Sequence, residues 1–188
     1  MCGRFGVSNS IVTRVSELFN TPFQVEDNLN LSPSQHVACI SPSADGYQQT
    51  NALWGIKPDW SKKLIINAQS ETVKQKPTFK NAFAQQRCLV PCNGWYEWRT
   101  ESGKKVKYYF EHADKQPLYM AGVLFASERT ELVTLTTTPN PKCSQYHKRM
   151  PVFVYPENTD FWFNAKAEQL SPLLLPIHED TICVTKSD

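Results

Sequence analysis

The chain begins MCGRFG, and a cysteine directly after the initiator methionine has access to chemistry closed to an internal one. If the methionine is removed, Cys2 carries a free α-amine and a thiol on the same residue. An α-amine has an ordinary pKa of about 7.7–8.0, so roughly 10–17% of it is unprotonated at pH 7. It can condense with an aldehyde to an imine, and the thiol can then close on the imine carbon to give a five-membered thiazolidine. The alternative is an idle cysteine near a chain end. Gly3 permits close backbone approach to a ligand. Arg4 offers a planar fork that suits a phosphate, or equally a surface ion pair.

Three further positions stand out. Asn67, in LIINAQSETV, can bond a sugar hydroxyl or an aldehyde oxygen, or simply cap a turn. Glu71 in the same run reads as solvated surface or as a buried structural anion. Glu97 sits in VPCNGWYEW among Trp95, Tyr96 and Trp98. Packed against indoles its pKa would rise toward neutrality, where a proton shuttle works. Strand alternation puts Trp95 and Glu97 on one face and Tyr96 and Trp98 on the other, and by pattern alone Glu97 faces solvent. His147, in QYHKRMPVFV, can exchange protons near pH 7 or be a plain loop residue. His36, His112 and His178 lack comparable settings.

The elements that must position these groups are legible in outline. Ile11, Val15, Leu18 and Phe19 recur at helical intervals over Ser10 to Asn20, with Ser10 as the expected cap and Pro22 as the stop. A strand over His36 to Ile40 and the run YQQTNALWGI form a hairpin about Asp45-Gly46. Thr78 to Gln86 reads as helical. From Cys88 onward strands dominate: RCLVPCNGWYEW, KKVKYYFEH, PLYMAGVLFAS, ELVTLTTT, PVFVY and TICVT, with a short helix at NTDFWFN. No linker or repeat divides the chain. The expectation is one α+β domain over residues 1–188 with a curved, barrel-like, mainly antiparallel sheet flanked by short helices.

Composition narrows the class. The 188 residues are 40% apolar and 12% aromatic, enough for a sizeable core, and the net charge of +2 neither demands nor excludes a nucleic acid. The longest apolar run, Leu118 to Ala126, is too short to span a bilayer and suits a buried strand. With no basic head and apolar run of a secretory signal, the chain reads as soluble and cytoplasmic. Its six cysteines therefore read as reduced thiols. One C-x₃-C, Cys88 with Cys92, is weak spacing for zinc, so no metal or other cofactor is expected.

Taken together, MCGRF, WGIKPDW, INAQSET, RCLVPCNGWYEW and HKRMP resemble, in order, the signatures of the SRAP family, the SOS-response-associated peptidase-like proteins that handle abasic sites in DNA. The resemblance runs from Cys2 to about Pro151 and implies an α+β domain on a barrel-like sheet. It implies that Cys2 links covalently to the ring-opened sugar of an abasic site in single-stranded DNA, shielding the lesion. It makes Asn67 the residue that orients the terminus, Glu97 a proton-transfer group, and His147 an acid-base on the sugar and in reversal. For DNA contacts it implies Arg4 and Arg149 on phosphates, Pro33 against the bases, Trp60 supporting a bent strand, and Thr136 on a strand edge lining the groove. Two family arginines are absent: Gln69 and Pro77 stand in their places. Losing them should flatten the salt dependence, by roughly 0.7 per phosphate on single strands, unless Lys57, Lys62 and Lys63 compensate.

Two other functions compete: a self-processing peptidase with Cys2 as nucleophile and His147 as base, and a noncovalent single-strand binder with Cys2 idle. In each case the partner is met by a monomer with no membrane attachment. The covalent reading requires a terminus that is accessible and faces Glu97 and His147.

Overall fold

A computed structural model describes residues 2–126 and 128–187. Its strands are β1 (Phe5–Val7), β2 (Asn28–Leu31), β3 (His36–Ser43), β4 (Gly46–Trp54), β5 (Asn67–Gln69), β6 (Arg87–Cys92), β7 (Gly94–Glu101), β8 (Lys104–His112), β9 (Leu118–Ala126), β10 (Thr130–Thr137), β11 (Met150–Pro151) and β12 (Ile182–Ser187). The α-helices are α1 (Val12–Phe19), α2 (Pro77–Gln85), α3 (Pro141–Ser144) and α4 (Thr159–Asn164), and 3₁₀ turns lead into α1 and α4 and follow α4. The fold is the expected α+β single domain.

Five strands close on themselves. The β3–β4 hairpin pairs with β6, β6 with β9, and β9 with β10, and β10 returns to β4 in parallel. Closure leaves no open edge among these five. The nine apolar residues of β9 lie between β6 and β10, and all but the last two are buried. Short β5 joins β10 in parallel, so the sheet is mainly but not wholly antiparallel. A second, antiparallel sheet runs in the order β12-β8-β7-β1-β2. One core serves both, with Trp54, Trp95, Trp162, Phe5 and Phe110 among its fully buried side chains.

Three local readings change. Helix α1 is entered through a 3₁₀ turn and is not capped by Ser10; Asp27 Oδ1 and Asn93 Oδ1 accept from the N–H groups of Asn9 and Ser8, each at 2.7 Å. RCLVPCNGWYEW is two strands in different sheets, broken at Asn93, so this one segment carries the chain from the barrel to the second sheet. Of PVFVY only Pro151 lies in a strand, the two-residue β11. Beyond it Val152 N–H donates to Leu135 O (2.9 Å) while Val154 N–H donates to Tyr119 O (3.0 Å), so its bonds are divided between two strands and no ladder forms. Among the described residues no helix is long and apolar enough to cross a membrane.

Candidate active site

The N-terminal strand decides where Cys2 goes. β1 lies between β2 and β7, with Phe5 opposite both Leu31 and Trp95, and Gly6 opposite Gly94. Tyr96 N–H donates to Arg4 O (2.9 Å), and the Phe5 ring rests 4.9 Å from Trp54. Gly94 is obligatory at this crossing, because a Cβ there would lie 2.1 Å from the Phe110 carbonyl oxygen. These pairings carry the terminus to β7 just where Glu97 projects. Asn67, at the start of β5, reaches over from the barrel side and donates from Nδ2 to the Cys2 carbonyl (2.9 Å). An accessible terminus is not what forms: Cys2 is 0% exposed in the chain that retains Met1, because β1 is drawn into the core. Burial raises its thiol pKa well above the ordinary value, helped by the nearby Glu97 and Cys92.

Glu97 corrects the expectation drawn from alternation. It is only 3% exposed, sharing its face with buried Trp95 and sitting opposite Tyr108 of β8, while Trp98 is the partly exposed neighbour. Alternation identifies which residues share a face, but not whether another layer covers that face. Here the His147 loop covers it. His147 Nδ1 lies 4.0 Å from Glu97 Oε2, and Arg149 N–H donates to the same ring nitrogen (3.1 Å). Burial lifts the Glu97 carboxyl to about 7 and pushes the His147 imidazole below its ordinary value. Near pH 7 the pair therefore offers a carboxyl poised between its two forms and an imidazole that is mostly neutral, which is suitable equipment for moving one proton.

The anticipated DNA-contact residues divide into groups. Arg149 holds Glu71 in a two-pronged ion pair (2.7 and 2.8 Å) and also donates to Thr136 O (2.6 Å). The Arg149 bonds to its carboxylate lower the Glu71 pKa. Glu71 is thus a partly exposed partner of Arg149 and not a buried anion. Thr136 is not at a strand edge: it lies between Gln69 of β5 and Pro151 of β11, is 2% exposed, and anchors Arg149. Gln69 is exposed beside it. Arg4 reaches Asn30 Oδ1 (3.4 Å), and half-buried Pro33 lies in the turn after β2. Trp60, 69% exposed, stands at a separate cleft of about 470 Å³ that Lys57 and Pro77 also line. The fold therefore brings Cys2, Asn67, Glu97 and His147 together, sets Arg149, Thr136 and Gln69 beside them on the same loop and strands, and places Trp60 at a separate cleft.

Reasoning from sequence missed Thr134, whose buried hydroxyl bonds Asn67 Oδ1 (2.7 Å). Its signal was a threonine set between the apolar Val133 and Leu135. It also missed that Cys92 and Cys143 lie near the site, close enough respectively to influence Cys2 and to feel Glu97.

Comparison with known proteins agrees in family and fold. The family model described as SOS response associated peptidase (SRAP) matches residues 1–186. A Bacillus subtilis protein named abasic site processing protein YoaM is 28% identical over 200 residues, covering 96% of this chain and 88% of its own. The Escherichia coli protein named abasic site processing protein YedK is 27% identical over 175 residues, covering 86% of this chain and 79% of its own. Among solved structures, a protein from Bordetella bronchiseptica superposes with a TM-score of 0.87 at 26% identity over 100% of both chains.

Proposed function

Because the chain belongs to the SRAP family, we propose that it processes abasic sites in single-stranded DNA by linking them covalently to Cys2. The observation that carries this reading is the hydrogen bond by which Asn67 tethers residue 2 near the buried Glu97, whose charge bears on the Cys2 thiol.

Once Met1 is excised, the Cys2 amine adds to the C1′ aldehyde of the opened sugar, and loss of water leaves an imine. The Cys2 sulfur then bonds to the imine carbon while the ring nitrogen takes up the proton that the thiol gives up, closing a thiazolidine. No redox partner is consumed. The thiol must give up its proton for this step, and Glu97 in its ionised form is the acceptor. His147 acts on the sugar oxygen, in ring opening and in reversal. Arg4, Gln69 and Arg149, with Thr136 holding Arg149, face the phosphates, and Pro33 and Trp60 the bases; a base stacked on Trp60 is worth about 1–3 kcal/mol. A phosphate that engages Arg149 must share it with Glu71 or displace it.

The burial of Cys2 adds a condition: excision of Met1 must precede reaction, and the terminus must shift to admit a sugar. The test is a denaturing gel with intact-mass analysis after mixing protein with single-stranded DNA carrying one abasic site. Processed protein should give a heat-stable adduct. Cys2→Ala should give none, Cys2→Ser at most a labile imine, and protein retaining Met1 none. An adduct from Cys2→Ala equal to that of the parent would sink the reading. Peptide cleavage in trans without a DNA adduct would replace it with the peptidase.

A further inference from the structure

We infer that Thr134 is a positioning residue for the Cys2 chemistry, because its hydroxyl sets which end of the Asn67 amide faces the chain terminus. The inference rests on the role given to Cys2 above. The parallel register of β5 and β10 places Thr134 directly opposite Asn67. Two oxygens lie near its hydroxyl, Ile66 O at 3.2 Å and Asn67 Oδ1 at 2.7 Å. Ile66 O already receives two N–H groups, from Thr134 itself (3.1 Å) and from Trp54 Nε1 (3.1 Å). The hydroxyl proton is therefore free for Asn67.

With Oδ1 engaged by Thr134, Nδ2 points at the Cys2 carbonyl (2.9 Å). The opposite rotamer would bring two carbonyl oxygens face to face, so the three groups select one orientation jointly. Anchoring that carbonyl restricts rotation about the Cα–C bond of Cys2, and with it the directions open to the amine and thiol. Gly3 follows directly and would otherwise let the terminus wander. Thr134 is 0% exposed on a strand of the closed barrel, so it cannot touch DNA. Its effect falls on the rate of bond formation and not on binding.

The test is single-turnover crosslinking of processed protein across a range of concentrations of single-stranded DNA with one abasic site. Valine keeps the shape and removes the hydroxyl. In Thr134→Val the maximal rate should fall about tenfold, with the half-saturating DNA concentration unchanged and the folded state retained by circular dichroism. Thr134→Ser should recover most of the rate. Adding Thr134→Val to Asn67→Ala should cost nothing further, since both remove the same tether. A valine variant as fast as the parent, or losses that multiply in the double variant, would overturn the inference. If the parent itself forms no crosslink, the Cys2 reading fails on its own account. The positioning role is then decided without DNA, by NMR of the Asn67 side-chain amide. Its Nδ2 protons should be protected from exchange in the parent and unprotected in Thr134→Val, and equal protection would overturn it.

Discussion

Burying the Glu97 carboxylate, with Oε1 left without a hydrogen-bond partner among the described residues, raises its pKa from 4.5 to about 7. A folded-state value above the unfolded one means that the native state holds the proton more tightly. The stabilising contribution is complete below pH 4.5 and is lost as the pH rises through 7, where the native state must bury a charge. The difference is worth up to about 3 kcal/mol. Glu97→Gln keeps the shape without the charge, so urea denaturation should find it as stable as the parent near pH 4 and more stable at pH 8. The same variant should crosslink abasic DNA at least about tenfold more slowly. A stability gain equal at both pH values would refute the argument. At this scale the sequence marked Cys2, Asn67, Glu97 and His147 by type and motif. It did not reveal that Glu97 is covered, because the covering loop is 50 positions away in the chain (147 − 97).

Among the elements, α2 and α4 end on one side chain. Arg87, at the start of β6, is 6% exposed and donates to the carbonyls of Phe83 and Ala84 in α2, Trp162 and Phe163 in α4, and Ala165 just beyond it, at 2.7–2.9 Å. The last carbonyls of a helix lack intrahelical donors, and a cation there also meets the negative end of the helix dipole. Arg87→Met should leave several buried carbonyls unpaired and cost about 3 kcal/mol or more in chemical denaturation. A loss below about 1 kcal/mol would show that water replaces the guanidinium. Helices and hairpins with their own periodicity or turn residues were readable one at a time: α1, α2, the β3–β4 hairpin and β9 lie close to where their patterns set them. The division of RCLVPCNGWYEW between two sheets was not, because each half is a good strand and only the partners differ.

For the molecule as a whole, a net charge of +2 leaves DNA binding to local clusters. The cluster nearest the site is short of cations, because Arg149 is paired with Glu71 and Gln69 is neutral. Gln69 is exposed on β5 next to Thr136, so an arginine there meets no packing obstacle from the core. Gln69→Arg should tighten noncovalent binding of single-stranded DNA and steepen the dependence of log Kd on log salt by about 0.7. An unchanged slope would place the phosphates elsewhere. Pro77 is a poorer site for the same change, since it opens α2, where its fixed φ favours the helix start.

The sequence by itself determined the family and most of the strands and helices, and singled out Cys2 as the candidate nucleophile, since these depend on residue type, periodicity and turn chemistry within short windows. Tertiary structure alone decided that Cys2 is buried, that burial raises the Glu97 pKa, that Arg149 is already paired, and that Thr134 bears on the terminus through Asn67. Each of these depends on distances between segments far apart in the chain, and such distances exist only once the barrel has closed and β1 has joined β7.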